Sequence, residues 1–244
     1  MQFIIFVIMF LCSLLQNTCY AAYNPTTYPS TEYRKISTQI ITQQPSLKYC
    51  NTDTLLIVVS TKNQTLNLYS PRGQLLKSYI VSTSKNGLGQ KLGSLKTPIG
   101  LHKIVEKIGH NVPRYGIFKS RKFTQQIWHK NYKSRKDFIV TRILRLQGLE
   151  TGVNRGKNNR QQVVDSFSRG IYIHGTTREN VIGTPVTIGC VHLNNRDIIE
   201  LFNLVPINTL DSIMKKALIY TPSSKLFLLF HLLTLLTNKF KIGA

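Results

Sequence analysis

The chain has 244 residues, 42% of them hydrophobic, so it is long enough to bury the core of one domain with extensions at its termini. This apolar content excludes a wholly disordered protein, and the chain contains no internal repeat. With 32 basic and 10 acidic residues the net charge is +22, which predicts polyanionic partners.

An apolar run at the start of the chain predicts an export signal. Phe3 to Leu15 is too short and too close to the N-terminus for a comfortable transmembrane helix. Cys19 to Ala21 places small residues at the two positions that a signal peptidase reads. We therefore predict a signal peptide over residues 1–21, cleaved after Ala21. An uncleaved N-terminal anchor is the alternative, because no Lys or Arg precedes the run, and either interpretation places the domain outside the cytoplasm.

The next segment, residues 22–52, is rich in Thr, Ser, Gln and Pro and predicts a polar linker. Of the four cysteines, two lie in the leader, so Cys50 and Cys190 remain for an oxidising compartment. One disulfide between them is the usual expectation. Because Cys50 lies in the linker and Cys190 lies in a motif, we favour two free thiols.

From residue 53 onward, β-branched and alternating apolar runs predict a mainly β domain. Strands are predicted at Leu55 to Val59, Thr65 to Tyr69, Leu75 to Val81, Leu101 to Val105, Phe138 to Leu146 and Ile171 to Ile173, the last ending on His174. The glycine-rich stretch Asn86 to Gly93 precedes a strand, so it is interpreted as a mobile loop rather than a phosphate-binding loop.

One stretch between the predicted strands is strongly basic. Nine basic residues and no acidic residue lie between Lys107 and Lys136, with aromatic residues interleaved: Tyr115, Phe118, Phe123, Trp128 and Tyr132. On composition alone this is typical of an RNA-binding stripe. We prefer a solvated basic loop with a few core aromatics, since an exported protein meets anionic envelope polymers first. Nucleic acid is therefore not expected as a partner.

A helix is predicted shortly after Cys190. Asn194 is a candidate N-cap and Asp197 lies in the first turn. The apolar face consists of Ile198, Leu201, Phe202 and Val205. Leu210 to Ile213 predicts a last strand.

The remaining residues, 216–244, form a basic and apolar tail. Its run Leu226 to Leu236 is about half a bilayer span. This length fits an interfacial helix as well as a helix packed on the domain.

The chemistry is concentrated between Tyr172 and Leu193. A strand ends on His174, and a Gly189-Cys190 pair follows sixteen positions later, just before the predicted helix. A histidine can pair with a thiolate, and backbone amides around Gly189 and Cys190 can lower the thiol pKa while binding an oxyanion. Glycine at 189 lets a substrate carbonyl approach the backbone. On spacing alone, a buried structural Cys and His remain the alternative.

The elements HGT, IGTP and TIGC, followed by a helix, resemble the signature of the YkuD-type L,D-transpeptidases. The similarity extends upstream through VSTSKNGLGQKLGSLKTPIGLHKI and covers roughly Asp53 to Ile213, with features of the Gram-negative branch. It implies a YkuD-like β-sandwich or partly open barrel with one or two short helices over residues 53–215. It also implies a periplasmic or cell-envelope enzyme that acts on peptidoglycan stem peptides.

Carried over by residue, the resemblance implies that Cys190 attacks the carbonyl of the third residue of a tetrapeptide stem. His174 then holds the thiol proton or forms an ion pair with the thiolate, oriented by the backbone carbonyl of Gly175. The amides of Gly189 and Cys190 bind the oxyanion. The resulting thioester passes to an amine of a second stem, to a protein lysine or to water, giving a 3-3 crosslink, a wall-attached protein or a carboxypeptidase product.

Three further residues are implied to bind substrate: Thr176, His192 and Thr187, the last at the family's Ser/Thr position. Two positions depart from the family pattern, which often has His before the Gly-Cys pair and Arg two residues after the cysteine. Here they are Ile188 and His192. Loss of a cation beside the thiol raises its pKa, and a protonated His192 would partly compensate. A catalytically degenerate peptidoglycan-binding protein of the same fold is therefore the alternative function.

Metal and cofactor chemistry are not expected. The remaining histidines show no metal-ligand spacing with Asp, Glu or Cys: His102, His110, His129 and His231. The sequence also has no serine nucleophile elbow, which argues against a serine hydrolase.

Overall fold

The computed structural model describes residues 54–71, 73–132 and 136–215. The predicted signal peptide 1–21, linker 22–52 and tail 216–244 lie outside the described residues, as does Cys50. No helix in the described ranges is both long enough and apolar enough to span a membrane.

The described residues form ten strands and, between β9 and β10, one α-helix. The strands are β1 Leu56–Ser60, β2 Thr65–Tyr69, β3 Leu75–Ser82, β4 Gly100–Ile108, β5 Gly116–Lys119, β6 Lys122–Ile127, β7 Ile139–Gly148, β8 Tyr172–Thr176, β9 Val191–Leu193 and β10 Leu210–Met214. The helix, α1, is Asn195–Leu204, and a 3₁₀ turn spans Glu179–Val181 in the connection from β8 to β9.

Eight of these strands close into a ring. Their hydrogen-bonded order is β4-β10-β1-β2-β3-β9-β8-β7, and β7 pairs back onto β4. The shortest pairing in the ring is between β3 and β9, where Val81 pairs with Leu193 and Ser82 pairs with His192. The β5–β6 hairpin extends from the other edge of β7. The predicted mainly β fold with one or two short helices is confirmed, and of the two predicted arrangements, sandwich or partly open barrel, the ring of strands corresponds to the barrel.

Side chains on one face of the strands build the main core together with the apolar face of α1. This core includes Ile57, Leu66, Leu68, Ile104, Leu144, Leu146, Ile173, Val191, Leu193, Ile198, Leu201 and Phe202. Since side chains alternate along a strand, the opposite face of β7 and β8 carries a second cluster. Phe118, Ile143 and Tyr172 form that cluster beneath the β5–β6 hairpin, with Cys190 packed at its margin.

The predicted strands agree with the observed ones to within three residues at either end. The basic loop interpretation was wrong for residues 116–127, which form the β5–β6 hairpin. Ser120 and Arg121 connect the two strands with φ values of 49° and 66°. Two consecutive positive φ values normally call for Asn-Gly, so the sequence lacks the usual hairpin signal.

A buried carboxyl group lies on β10 inside the barrel wall. Asp211 is fully buried, its two carboxyl oxygens have no hydrogen-bond partner among the described residues, and it lies opposite His102 in register. Burial raises the pKa of Asp211 to about 8. The folded protein therefore keeps this proton at neutral pH, whereas the unfolded chain releases it near the ordinary value of 3.8.

We expect Asp211→Asn to remove a pH-dependent loss of stability. Between the unfolded and folded pKa values the folded state binds more protons, so wild-type stability falls as pH rises from 5 to 8. The melting temperature of the variant relative to wild type should therefore rise by at least roughly 3 °C over this range, as about 1 kcal/mol produces in a domain of this size. Thermal unfolding followed by circular dichroism measures the difference, and a gap that stays constant with pH contradicts the buried neutral acid.

Asp165 provides the control. Burial opposes ionisation there, but the backbone hydrogen bonds from Gly156 and Ser168 prevail and lower its pKa. Asp165→Asn should therefore lose stability relative to wild type and should show no gain as pH rises.

Candidate active site

His174 and Cys190 come together because β8 and β9 lie side by side in parallel. In register, His174 lies opposite His192 and Ile173 lies opposite Val191. Paired residues project from the same face, so His174 and His192 share the face opposite the main core. Cys190 directly precedes β9 and packs against the cluster on that same face. The two predicted catalytic residues therefore belong to one surface of the sheet.

The His174 imidazole is held in one tautomer. Its side chain is buried, and Nδ1 lies 2.8 Å from the carbonyl oxygen of Gly175, the contact that the resemblance implied. A carbonyl can only accept, so Nδ1 carries the proton and Nε2 carries the lone pair. Burial lowers the pKa of His174, with the Gly175 hydrogen bond and Asp137 opposing that effect. The result is a neutral imidazole that accepts protons at Nε2.

The Cys190 thiol is free and protonated at neutral pH. Its Sγ donates to the Gly170 carbonyl oxygen at 3.5 Å. Burial raises its pKa to about 11, while the backbone N–H of Tyr172 and the charge of Arg169 act in the opposite direction. Both His174 and Cys190 are thus neutral, so of the two implied states the structure favours thiol and imidazole over an ion pair. The Sγ–H must leave Gly170 before it can reach His174.

Thr187 fixes the backbone around the thiol. Its hydroxyl donates to the Cys190 carbonyl oxygen at 2.7 Å and accepts from the Gly189 N–H at 3.2 Å. Gly189 has φ +137°, a conformation that residues with a Cβ rarely adopt. A Cβ there would lie 3.4 Å from Ile171, an ordinary contact, so backbone conformation and not space explains the glycine.

His192 faces His174 at a ring-centroid distance of 4.3 Å, and its Nδ1 lies 3.4 Å from Oδ2 of Asp137. Burial, with the neighbouring His174 and Arg178, lowers the pKa of His192 well below its ordinary value. This shift disfavours the protonated His192 that was expected to compensate for a missing arginine.

Asp137 links His192 to the end of β8. Its Oδ1 accepts hydrogen bonds from the Thr176 hydroxyl at 2.6 Å and from the backbone N–H of Thr177 at 3.2 Å. Thr176 is fully buried, Thr187 is 3% exposed and His192 is 8% exposed. The three residues implied to bind substrate are thus buried. Thr176 contacts Asp137, and Thr187 contacts the backbone of Cys190.

The Glu179 carboxylate accepts hydrogen bonds from the first residue of α1. Glu179 Oε1 accepts from the Asn195 backbone N–H at 2.6 Å and from Asn195 Nδ2 at 2.9 Å. Burial opposes the charge of Glu179, but these hydrogen bonds and that from Tyr115 lower its pKa. Asn194 occupies the predicted N-cap position, without a side-chain hydrogen bond to the helix backbone.

A bulge in β7 connects the same network to the hairpin. Between Val140 and Ile143 the register with β8 shifts, leaving Thr141 and Arg142 unpaired with β8. Thr141 has φ 73°, which is costly for a β-branched residue. Its hydroxyl donates to Asn195 Oδ1 at 2.5 Å and accepts from the Tyr115 N–H at 2.9 Å. The strained bulge therefore joins β7, α1 and the hairpin beside β8.

Sequence reasoning missed several site residues: Asp137, Glu179, Asn195, Thr141 and Arg169. The two carboxylates could have been candidates from sequence, because the chain has only 10 acidic residues. Arg169 did not stand out among the many basic residues. It donates to the carbonyls of Gly89 and Lys96, beside residues 187–190, which we call the thiol loop. Within residues 54–71, 73–132 and 136–215, no group of three or more His, Cys, Asp or Glu is placed to hold a metal ion.

Comparison with known proteins gives one family. Residues 54–218 match YkuD, the L,D-transpeptidase catalytic domain. A putative L,D-transpeptidase YkuD of Bacillus licheniformis is 46% identical over 49 residues, which cover 20% of this chain and 30% of that protein. The match thus spans less than a third of that curated relative's length.

Two solved structures are similar at low sequence identity. An L,D-transpeptidase from Mycobacterium smegmatis is 15% identical, with 66% of this chain and 58% of that chain covered and a TM-score of 0.39. Bdellovibrio bacteriovorus Bd1075 is 16% identical, with 71% and 51% covered and a TM-score of 0.44.

We expect Thr187→Val to loosen the thiol loop. The variant keeps the shape of the side chain but leaves the Gly189 N–H and the Cys190 carbonyl without the Thr187 hydroxyl. The free energy of unfolding should fall by about 1–3 kcal/mol, measured by urea denaturation. Thr187→Ser keeps the hydroxyl and is the matched control. Equal stability of the Val and Ser variants would contradict the bracing role.

Proposed function

The chain belongs to the YkuD family of L,D-transpeptidase catalytic domains, and from this premise we propose that it is an exported enzyme that forms a Cys190 acyl-enzyme on peptidoglycan tetrapeptide stems. One observation carries the proposal. Cys190 and His174 share one face of the β8–β9 pair, and the Gly175 carbonyl keeps the imidazole in its proton-accepting tautomer. This arrangement places a nucleophile immediately before β9 and a base on the adjacent strand β8.

In the first half-reaction, Cys190 Sγ attacks the carbonyl carbon of the third stem residue. The thiol proton moves to Nε2 of His174, and the carbonyl oxygen becomes an oxyanion. The bond to the terminal D-alanine then breaks, and its nitrogen takes the proton from His174. A thioester remains on Cys190 and His174 returns to its neutral form.

A neutral resting pair suits this sequence of proton transfers. Burial raises the pKa of Cys190 and lowers that of His174, so a resting thiolate–imidazolium pair is unfavourable. Proton transfer is then coupled to attack, when the developing oxyanion is stabilised by backbone amides. The amides of Gly189, which donates to the Thr187 hydroxyl at 3.2 Å, and of Cys190 are the donors that we assign to this oxyanion.

In the second half-reaction, an acceptor attacks the thioester carbon and passes a proton to His174. The carbon–sulfur bond breaks, and the proton returns to Cys190 Sγ. An amine on a second stem gives a 3-3 crosslink, and a protein lysine gives a wall-attached protein. Water gives a carboxypeptidase product.

Thr176, Thr187 and His192 are buried, and this burial supports a role in positioning the residues around them. Thr176 orients Asp137, which in turn faces His192 across 3.4 Å. Thr187 holds the backbone of Gly189 and Cys190. We therefore assign substrate binding to the exposed rim, where Ile188 is 63% exposed, and assign support of the catalytic pair to these three residues.

Export and charge complete the proposal. The leader over residues 1–21 would deliver the domain to the periplasm or cell envelope. There the net charge of +22 attracts anionic envelope polymers. Exposed basic side chains on the β5–β6 hairpin and the segment after it provide such a surface: Lys119, Arg121, Lys122, Lys130 and Lys136.

The second candidate is a peptidoglycan-binding protein of the same fold without turnover. The lowered pKa of His192 favours it, because a neutral imidazole there does not replace the positive charge of the family's arginine. This candidate predicts binding of wall fragments that is indifferent to Cys190→Ala.

Turnover of a disaccharide-tetrapeptide separates the two candidates. Wild type should release D-alanine, Cys190→Ala should release none, and His174→Ala should be slower by roughly 100-fold or more, the usual contribution of a general base. His129→Ala, which alters an exposed histidine of the basic segment, is the control and should match wild type. Chromatography with mass spectrometry detects D-alanine release and identifies the acceptor by product. Release by Cys190→Ala, or binding without release by wild type, would overturn the proposal.

A further inference from the structure

An arginine that the mechanism does not use lies next to the thiol loop. Arg169 is half-buried, and its guanidinium donates to the Gly89 carbonyl at 3.1 Å and to the Lys96 carbonyl at 2.6 Å. Both carbonyls belong to the glycine-rich loop 86–97. Within its first part, Asn86 to Gly93, which was expected to be mobile, the Gly89 N–H bonds to the Thr97 carbonyl and the Leu92 N–H bonds to the Val163 carbonyl. Arg169 therefore clamps an ordered loop to the segment that enters β8.

The clamped segment and the thiol share their surroundings. The residue after Arg169, Gly170, accepts the hydrogen bond of Cys190 Sγ at 3.5 Å. On the other side of the clamp, the Lys96 carbonyl oxygen that Arg169 binds lies 3.5 Å from where a Cβ on Gly189 would be. The guanidinium thus contacts the same carbonyl that borders the Gly189-Cys190 pair.

The two histidines and the carboxylate near this face give the sulfur no fixed positive charge. His174 on β8 and His192 on β9 are neutral, and Asp137 faces His192. Arg121 at the hairpin turn is engaged with the Tyr172 hydroxyl at 3.3 Å and is solvent-exposed. The charge of Arg169 opposes the effect of burial on the pKa of Cys190. Burial lowers the pKa of Arg169 itself, and the neighbouring thiolate opposes that effect.

We propose that Arg169 is a positioning residue for Cys190, which holds loop 86–97 against the Gly189-Cys190 pair and places a permanent positive charge beside the sulfur. This inference rests on the proposed nucleophilic role of Cys190. A guanidinium keeps its charge at every working pH, so it can stabilise negative charge on sulfur while the thiol proton passes to His174.

The rate at which iodoacetamide alkylates Cys190 in the full chain tests this role without any wall substrate. Tryptic peptide 179–196 contains only this cysteine, so mass spectrometry reports its alkylation separately from the other three. Arg169→Gln should slow alkylation at pH 8 by about tenfold, the effect of a one-unit rise in the thiol pKa. Arg169→Lys keeps the charge and should stay within roughly threefold of wild type.

Arg142→Gln is the matched control. Arg142 is also largely buried and also donates to two backbone carbonyls, those of Val112 and Thr141, but its guanidinium lies over the Phe202 ring. The alkylation rate of Cys190 is also measured as a function of pH, and Arg142→Gln should leave this pH profile unchanged. The difference between the Gln variants should persist in 0.5 M salt, since a half-buried charge is poorly screened. Circular dichroism verifies folding for each variant.

A profile of Arg169→Gln that coincides with wild type, or with that of Arg142→Gln, overturns the inference. So does an Arg169→Lys variant as slow as Arg169→Gln, if both are folded. Acylation of wild type by a carbapenem is a separate arm. If wild type is not acylated while the alkylation profile still depends on Arg169, the proposed function fails and the role of Arg169 stands.

Discussion

Parallel pairing between β8 and β9 is the constraint on which the site depends. Most neighbours in the barrel are antiparallel, so a parallel pair requires the chain to leave β8, cross over and re-enter alongside it. The crossover contains the 3₁₀ turn, Thr187 and the Gly189-Cys190 pair. Glu179 and Asn195 fasten its two ends, because Glu179 in the crossover binds the first N–H of α1 and Asn195 binds the Thr176 carbonyl. The position of the thiol therefore follows from how this crossover is closed.

Burial gives the site its electrostatic character. It keeps the Cys190 thiol protonated and both His174 and His192 neutral, in a protein with a net charge of +22. Two of the few carboxylates accept hydrogen bonds at the site: Glu179 from the first N–H of α1, and Asp137 from the Thr176 hydroxyl. With 10 acidic residues against 32 basic ones, the carboxylates are too few to neutralise the exposed basic surface. A strongly basic exterior therefore coexists with a neutral Cys190 and a neutral His174.

Periodicity in the sequence predicted most strands, because alternating and β-branched runs report which face is buried. It missed the β5–β6 hairpin, whose Ser120-Arg121 turn lacks the usual glycine, and β9, which is three residues long. The HGT and TIGC elements pointed to His174 and Cys190, and the fold places these two residues on one face of the sheet. The supporting residues were not predictable in the same way. Thr141 reaches Asn195 only through a bulge, and Arg169 reaches Lys96 only in the folded chain.

The central claim is that Cys190 forms an acyl-enzyme, and intact-mass spectrometry of the full chain after incubation with a carbapenem tests it most directly. The account predicts one covalent adduct on wild type, with the mass of the intact drug, and none on Cys190→Ala. An adduct that persists in Cys190→Ala would contradict the assignment of the nucleophile. A folded wild-type protein that forms no adduct would contradict the acyl-enzyme itself and leave a wall-binding protein.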